Sequence, residues 1–222
     1  MTLRLVVFDV DGTLVDSQSD IVGSLTAAFQ DVGLDVPDRA QLLGCVGLSL
    51  PQVMFRLVPD QSVETRDQMI ETYKSTFMKR RQSNGSSPFY PGAKEALIAL
   101  GEKPETLLGV ATGKSRRGLD AVIDGHGLRG SFVTTQVADD HPSKPHPSML
   151  NRAVAECGVE TEQTVMVGDT VFDMEMADAA GVPFIGVSWG YHPPTQLRHA
   201  IAILDSFADL VPELEQHWGS KL

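Results

Sequence analysis

The chain has 222 residues, of which 42% are hydrophobic, and this length suits one main domain that carries an insertion. Its formal net charge of −11 at pH 7 argues against binding to nucleic acid or to anionic membranes. Since no apolar run of the sequence approaches the ~20 residues that a membrane span needs, we expect no membrane-spanning segment.

The most informative segment follows the first predicted strand, an apolar run over residues 3–8. It places Asp9 and Asp11 two positions apart, directly before Gly12 and Thr13. Side chains at i and i+2 of an extended chain share a face, so both carboxylates are expected to emerge where Gly12 turns the chain. Two close carboxylates are stable only if a cation lies between them or one holds a proton. The pair therefore indicates a divalent metal site or a nucleophile beside a general acid, with a polar turn as the alternative.

A block of helices is predicted over residues 16–87, directly after this acidic pair. Apolar residues recur at helical spacing up to Val32, and Gly33 can end this first helix. Further helices are predicted in segments that lack strand alternation, over residues 38–43, 49–58 and 63–81. Residues 83–88 have the composition of a linker, and with the junction before Asp16 they would form a hinge.

From Tyr90 onward, predicted helices and strands alternate. The strands are predicted over residues 107–111, 132–137, 164–167 and 184–187. The helices are predicted over residues 92–100, 115–124, 147–157, 173–180 and 208–217. This alternation predicts an α/β fold with a doubly wound parallel sheet. We expect a Rossmann-like core of residues 1–15 and 88–222 and an inserted all-helical cap domain of residues 16–87.

Polar residues follow each of three later strands. In chain order they are Thr112-Gly113-Lys114, Ser143-Lys144-Pro145, and Gly168-Asp169-Thr170 with Asp173. In open parallel sheets the ligand crevice lies beyond the carboxyl ends of the strands, so these groups are expected to converge with the acidic pair. The second acidic corner, at Asp169, predicts a second half of a metal site.

These segments resemble, in order, the four motifs of the haloacid dehalogenase-like hydrolase superfamily. The matching residues are 9–17, 111–114, 143–145 and 168–173, and the likeness spans nearly the whole chain. Within that superfamily the chain is most similar to phosphatases of the phosphoglycolate phosphatase type, which carry a helical cap. The resemblance implies a phosphoric monoester hydrolase.

The residue types also argue for this chemistry. A carboxylate that attacks phosphorus forms an aspartyl phosphate and divides hydrolysis into two easier displacements, and Asp9 is the candidate nucleophile. Since the attack brings two anions together, a divalent cation is needed, and Mg²⁺ bound by Asp9 and Asp169 suits all-oxygen ligands. Thr112 would donate hydrogen bonds to the phosphoryl oxygens, and Lys144 would neutralise their charge.

The resemblance adds a double role for Asp11. Its backbone carbonyl would bind the metal, while its carboxyl would protonate the leaving oxygen and then deprotonate the attacking water. Asp173, one helical turn after Asp169, would orient Lys144 or a metal-bound water. The remaining motif residues are expected to contact the substrate or to support residues that do: Gly12, Thr13, Gly113 and Lys114.

The residues of the motifs and of the predicted cap argue against three other functions known on this fold. A dehalogenase needs no general acid, because halide leaves without a proton, so Asp11 argues against it. A phosphonate hydrolase uses a Schiff-base lysine in the cap, whereas the first lysine of this chain is Lys74, which we place at the far end of the last cap helix. A non-catalytic binding protein would be expected to have lost a charged catalytic residue, and none is missing.

The substrate is left open by the sequence. Phosphoglycolate is the first expectation by resemblance, with sugar phosphates, nucleoside monophosphates and pyrophosphate as alternatives. A β-phosphoglucomutase-like phosphomutase would need a second phosphate-binding group in the cap. The cap loop of residues 44–49 contains no cation, and the basic residues near it are Arg39 and Arg56, so hydrolysis is favoured.

Several other residues have ordinary structural interpretations. Ser49, with Gln52 three positions later, predicts a helix capping box. His141 and His146 lack metal-ligand spacing, and the pair at positions 116–117, both arginines, is interpreted as a solvated helix start.

The cysteines and the N-terminus indicate a cellular compartment. Cys45 and Cys157 have neither zinc-site spacing nor the pattern of a disulfide framework, and the N-terminus lacks the features of a signal peptide. We therefore expect a cytoplasmic protein. Its expected partner is a small phosphorylated substrate, with no nucleic acid and no membrane, and the chain is expected to be a monomer or a homodimer.

Overall fold

The protein is built on a six-stranded parallel sheet within residues 2–219, the part of the chain that this computed structural model describes. The strands β1 to β6 are, in chain order, Arg4–Phe8, Thr106–Thr112, Thr134–Val137, Thr164–Gly168, Phe184–Val187 and Ala202–Leu204. Their order across the sheet is β3-β2-β1-β4-β5-β6, and every pairing is parallel. From β1 the chain continues to β2 and β3 on one side of the sheet, and from β4 it continues to β5 and β6 on the other side. The boundary between β1 and β4 is therefore the topological switch point.

This arrangement confirms the predicted α/β fold with a doubly wound sheet. The sequence did not predict β6, because this edge strand has only three residues and just one of them, Leu204, is buried. So short a strand has too little alternation to be recognised.

The described residues form nine α-helices, and each predicted helix is among them. Helices α1 to α9 are Gln18–Asp31, Arg39–Leu43, Leu50–Leu57, Val63–Asn84, Ala93–Gly101, Arg116–His126, Ser148–Cys157, Val171–Ala180 and Leu210–Trp218. The prediction was wrong about the start of the linker, because α4 continues through positions 83 and 84 and ends where Gly85 adopts a φ of 80°.

The sheet is covered by helices on both faces. Val6 and Phe8 of β1 pack into a buried cluster with α5, α6 and α9, whereas Leu5 and Val7 pack on the opposite face with α7 and α8. Successive side chains of a strand point to opposite faces, so the continuous apolar run of β1 is what a strand buried on both sides requires.

Helices α1 to α4 form a separate hydrophobic cluster, which includes Leu25, Phe29, Met54 and Met69. The two chain segments that join this block to the sheet run side by side. The Asp16 amide donates to the Pro88 carbonyl at 2.9 Å, and the Tyr90 amide donates to the Leu14 carbonyl at 2.9 Å. Within residues 2–219, no helix is long and apolar enough to span a bilayer.

Candidate active site

The predicted site residues converge at the carboxyl ends of β1, β2 and β4. Asp9 directly follows β1, and its amide extends the ladder by donating to the Val167 carbonyl of β4 at 3.0 Å. Asp169 directly follows β4, and Thr112 is the last residue of β2. The three strands are neighbours in the sheet, so the switch point holds these side chains together.

Lys144 lies at the centre of this group, and its ammonium is fully buried. It donates to Asp9 Oδ1 at 2.8 Å and to Asp173 Oδ1 at 2.5 Å. Burial alone would lower the pKa of Lys144, but the negative charges of Asp173 and Asp9 raise it above its ordinary value. A buried lysine is costly unless it is paired, and here two carboxylates keep it charged.

Asp173 is held by the start of α8. Its Oδ2 accepts from the amide of Thr170 at 3.1 Å and from the Thr170 hydroxyl at 2.7 Å, and its own amide donates to that hydroxyl at 3.3 Å. This reciprocal pattern is a capping box. The capping box fixes the Asp173 carboxylate and leaves Oδ1 for Lys144. The predicted role of Asp173 in orienting this lysine stays a prediction.

Asp169 is enclosed by two loops. Its Oδ1 accepts from the Thr13 hydroxyl at 2.9 Å, and its Oδ2 accepts from the Tyr191 amide at 2.8 Å. Gly12 and Gly190 provide the space that the Asp169 side chain occupies. A Cβ at Gly12 would lie 2.3 Å from Asp169 Oδ2, and a Cβ at Gly190 would lie 2.0 Å from Asp169 Cβ. Burial is the main reason why the pKa of Asp169 is well above its ordinary value.

Asp9 has one paired and one unpaired oxygen. Oδ1 accepts from Lys144, whereas Oδ2 is buried and has no hydrogen-bond partner among the described residues. Burial raises the pKa of Asp9 to about 6 in spite of the opposing charge of Lys144. An unsatisfied buried carboxylate oxygen is costly, so this atom needs a partner from outside the protein chain.

The donor set fits a hard divalent cation. One carboxylate oxygen from each of Asp9, Asp169 and Asp173 lies within 4.8 Å of the others. Three close carboxylates repel one another unless positive charge is shared among them, and oxygen ligands suit Mg²⁺. The predicted metal set was Asp9, Asp11 and Asp169. The structure groups Asp173 with Asp9 and Asp169 by side chain, and the expected contact through the Asp11 carbonyl stays a prediction.

The Asp11 carboxylate has different partners from that of Asp9. Lys114 Nζ donates to its two oxygens at 2.8 and 2.7 Å, and the Ser17 hydroxyl donates to Oδ1. Ser17 Oγ in turn lies 3.1 Å from the Tyr191 hydroxyl. The Asp11 carboxylate is therefore held by hydrogen bonds, and its predicted role in proton transfer stays a prediction.

Thr112 and Gly113 line the cavity together with Asp9 and Asp11. Thr112 is buried, and its Oγ1 accepts from the Lys114 amide at 3.3 Å. A Cβ at Gly113 would lie 2.6 Å from the carbonyl oxygens of both Gly47 and Leu48. Only a glycine lets the loop of residues 44–49 approach this closely.

A second contact of the same loop corrects the predicted capping box at Ser49. Among the described residues, no backbone amide is capped by the Ser49 side chain. The Ser49 amide instead donates to the Ser143 hydroxyl of the third motif at 2.8 Å. The first amides of a helix have no partner within the helix, so α3 can use one to dock the inserted helices on the core.

A cavity of about 540 Å³ lies between the core residues and the inserted helices. Asp9, Asp11, Thr112 and Lys114 line it on the core side, and residues of α1, α3, α4 and the loop of residues 44–49 line the other side. The nucleophile candidate Asp9 and the general-acid candidate Asp11 therefore line the same cavity.

The family profile of the haloacid dehalogenase-like hydrolases matches residues 6–187 of this chain. The chain belongs to this family. The protein named Probable phosphatase IndB of Dickeya dadantii is 35% identical over 215 residues, which cover 93% of this chain and 91% of that protein. The phosphoglycolate phosphatase of Agrobacterium fabrum is 31% identical over 222 residues and covers 98% of this chain and 94% of its own length.

Solved structures of proteins described as phosphatases have the same fold. A predicted phosphoglycolate phosphatase from Haemophilus somnus superposes with a TM-score of 0.84 at 25% identity, covering 96% of this chain and 98% of its own. A predicted phosphatase from Clostridium acetobutylicum has a TM-score of 0.85 at 24% identity, covering 97% of this chain and 100% of its own. The resemblance drawn from the four motifs is thereby confirmed.

Most of the residues that we interpreted as structural from the sequence make local contacts in the structure. His141 contacts the side chains of Ser148 and Gln136, and His146 accepts from the Ser148 amide, so both histidines serve local structure. The two neighbouring arginines have different surroundings. Arg116 donates to the hydroxyl and the carbonyl of Thr135 at 2.7 and 2.8 Å, whereas Arg117 lines the cavity.

The basic residues of the inserted helices have varied surroundings. Arg39 bonds Gln18, and Arg56 lies over the Phe172 ring at 5.4 Å. Lys74 and Arg81, both on α4, line the cavity. Lys74 lies in the middle of α4, so its predicted position at the far end of the last cap helix was wrong, and its ammonium pairs with Glu71 at 2.8 Å.

Sequence reasoning missed the loop that follows β5. Its Gly190 and Tyr191 enclose Asp169, and His192 connects the core to the cap. His192 Nδ1 accepts from the Val171 amide at 3.0 Å, and Nε2 lies 3.2 Å from the Gly44 carbonyl. The available signal was positional, since a loop after β5 must lie at the same edge of the sheet as the four motifs.

Proposed function

We propose that this chain is a Mg²⁺-dependent phosphatase that hydrolyses small phosphate monoesters through an aspartyl phosphate on Asp9. The observation that carries the proposal is the buried, unpartnered Oδ2 of Asp9, a residue that lines the cavity and whose other oxygen is held by Lys144. A carboxylate fixed by one oxygen presents the other for attack on phosphorus.

The first step joins Asp9 to phosphorus and breaks the bond from phosphorus to the ester oxygen. The departing oxygen takes a proton from the Asp11 carboxyl, which lines the same cavity. In the second step Asp11 takes a proton from water, the water oxygen attacks phosphorus, and the bond to Asp9 breaks. Inorganic phosphate and an alcohol are released, and both carboxyl groups return to their starting state.

The surrounding residues stabilise charge on the phosphoryl oxygens. Mg²⁺ held by Asp9, Asp169 and the Asp11 carbonyl would supply positive charge between the nucleophile and the phosphoryl group. Lys144 contributes a fixed buried cation that needs no reorganisation, because Asp173 holds it in place. Thr112 has its hydroxyl hydrogen available for a phosphoryl oxygen, since its Oγ1 accepts from Lys114.

The division into domains supports substrate access. We propose a core of residues 1–15 and 88–222 and a cap of residues 16–87, with the hinge at the paired segments near Asp16 and Pro88. The Ser49 amide contact with Ser143 then belongs to the closed form of the cap, which opens to admit the substrate. We propose that the enzyme acts in the cytoplasm as a monomer or a homodimer.

The test is the substitution Asp9→Asn, assayed as phosphate release from 4-nitrophenyl phosphate with Mg²⁺. We expect loss of turnover and of acid-stable incorporation of phosphate into the protein, because an amide cannot attack phosphorus. Asp60→Asn, at an exposed position, is the matched control and is expected to behave as the unaltered protein. Turnover by a folded Asp9→Asn protein would contradict the mechanism.

Phosphoglycolate is the first natural ester to test, because several relatives are named phosphoglycolate phosphatase. Stoichiometric release of free phosphate separates hydrolysis from phosphoryl transfer. Isomerisation of β-glucose 1-phosphate faster than phosphate release would favour the phosphomutase alternative.

A further inference from the structure

The cavity extends away from the nucleophile into the interior of the cap. Its cap side is lined mainly by apolar side chains of three helices: Ile21, Leu25, Val53, Ile70, Tyr73 and Phe77. The polar residues of α4 in this lining are Glu71, Lys74, Ser75 and Arg81. These apolar residues belong to the hydrophobic cluster of the cap, so one cavity joins this cluster to Asp9 and Asp11.

We propose that this apolar chamber binds the leaving group and selects phosphate monoesters whose alcohol is apolar or aromatic. The inference rests on the proposed phosphatase activity, with the phosphoryl group at Asp9 and the alcohol in the cap. It narrows the substrate class away from short, charged esters such as phosphoglycolate.

The distribution of charge in the cavity supports this selection. On the core side, Lys114 is already matched by both oxygens of Asp11. The exposed Lys74 pairs with Glu71, and the exposed Arg117 donates to the Met78 sulfur at 2.7 Å. Arg81 of α4 also lines the cavity, but the part of the lining that comes from α1 and α3 carries no cation. A second carboxylate placed against that part would leave water without a charged partner, which is costly.

The size of the cavity points the same way. Its volume of about 540 Å³ lies in the range of about 300–1,000 Å³ that is typical of pockets for drug-sized ligands. The two carbons of phosphoglycolate would leave most of this space without a solute. An apolar body would fill it and remove its own surface from water, which corresponds to roughly fourfold in affinity for each CH₂ buried.

Two aromatic rings give one wall of the chamber its shape. Tyr73 and Phe77 lie one turn apart on α4 with ring centroids 5.9 Å apart and planes at 28°. Burial, together with the negative charges of Asp11 and Asp20, raises the pKa of Tyr73, so its hydroxyl stays neutral. Lys114 Nζ lies 5.1 Å from the Phe77 centroid, which places this wall next to the general acid.

The test uses primary alkyl phosphates from ethyl to octyl, together with 2-phosphoglycolate. Their alkoxide leaving groups have similar basicity across the alkyl series, so differences in kcat/KM report binding of the chain. We expect kcat/KM to rise by roughly fourfold per CH₂ until the chamber is filled, and hexyl phosphate to exceed phosphoglycolate at least tenfold. A flat series, or a preference for phosphoglycolate, would overturn the inference while leaving the phosphatase proposal intact.

Substitutions in the lining test whether the chamber causes the dependence of kcat/KM on chain length. Phe77→Ala is expected to flatten the dependence on chain length, and Val53→Thr, which keeps the shape but adds a hydroxyl, is expected to do the same with less structural disturbance. Phe55→Ala is the matched control, because Phe55 is 54% exposed on α3 and lies outside the cavity lining. Unchanged chain-length dependence in both cavity variants would contradict the assignment.

A binding measurement separates this inference from the proposed function. Alkylphosphonates cannot transfer their phosphorus to Asp9, so calorimetric titration of the unaltered protein with ethyl to octyl phosphonate in Mg²⁺ reports the chamber without turnover. Affinity that rises with chain length supports the chamber even if every ester were resistant to hydrolysis. Affinity independent of chain length counts against it.

Discussion

Removal of the buried cation at Lys144 gives the sharpest test of how the site is held together. Lys144→Met keeps most of the side-chain length but leaves the Asp9 and Asp173 carboxylates buried without their shared partner. Removing one member of a buried ion pair costs about 3–5 kcal/mol, since an uncompensated charge remains. For a protein of this size, that corresponds to a fall in Tm of about 6–20 °C.

The assay is thermal and urea denaturation followed by circular dichroism at constant pH and Mg²⁺ concentration. Lys74→Met is the matched control, because it removes the exposed ion pair with Glu71, which is worth about 0.5 kcal/mol or less. Adding Asp173→Leu to Lys144→Met should recover part of the lost stability, since one unpaired carboxylate is removed. A loss below about 1 kcal/mol in Lys144→Met would refute the reasoning, because a buried charge pair cannot be broken so cheaply.

Four further predictions follow from the geometry. Gly190→Ala should lower kcat at least about tenfold, because its Cβ would lie 2.0 Å from Asp169 Cβ, whereas Gly101→Ala, with no atom within 4 Å, should be neutral in the same kinetic assay. EDTA should abolish phosphate release and Mg²⁺ should restore it, and full activity after exhaustive chelation would contradict the metal assignment. Hydrogen exchange measured by mass spectrometry should show slower exchange of the Ser49 amide when phosphate and Mg²⁺ are bound, because closure of the cap protects its bond to Ser143. Burial lowers the pKa of His192 below 6.5, so this side chain binds fewer protons in the folded protein than in the unfolded chain; its contribution to the free energy of unfolding should decrease as pH drops below about 6.5, and the difference in stability between the unaltered protein and His192→Asn, measured by urea denaturation, should become smaller over that range.

The environment of His192 explains the sign of that last effect. A proton on Nδ1 would face the Val171 amide, which is itself a donor, so the charged ring would lose a hydrogen bond at 3.0 Å. Arg56 opposes the added charge, whereas Asp173 and Glu175 favour it. Desolvation is the largest of these contributions, and the neutral ring is therefore the stable form in the folded protein.

The elements of the core could be predicted because their sequence patterns are local. Apolar runs bounded by Gly and polar residues predicted β1, β2, β4 and β5, and the rule for parallel sheets then predicted that their polar ends converge. Lys144 and Asp173 are in hydrogen-bond contact, as that rule required, although 29 positions separate them. Only the short β6 escaped detection.

The cap and its contacts could not be predicted in the same way. Helical periodicity gives the existence of α1 to α4 but says nothing about the angle at which they sit on the core. The cavity, the role of Gly113 and the bond from Ser49 to Ser143 all depend on that placement. The capping box predicted at Ser49 is absent, because the Ser49 side chain caps no amide and the Ser49 amide donates to Ser143 of the core.

The two aspartates of the first motif show why residue type alone does not assign a role. Asp9 and Asp11 share a sequence pattern and emerge at one strand end, yet their partners come from different parts of the chain. Asp9 is fixed by the buried Lys144, which leaves one oxygen bare beside two other carboxylates. Asp11 faces the cavity and is held by Lys114. A fixed, partly unpaired oxygen suits a nucleophile, and a carboxyl at the cavity wall suits proton transfer, so the different environments of the two groups support the different roles proposed for them.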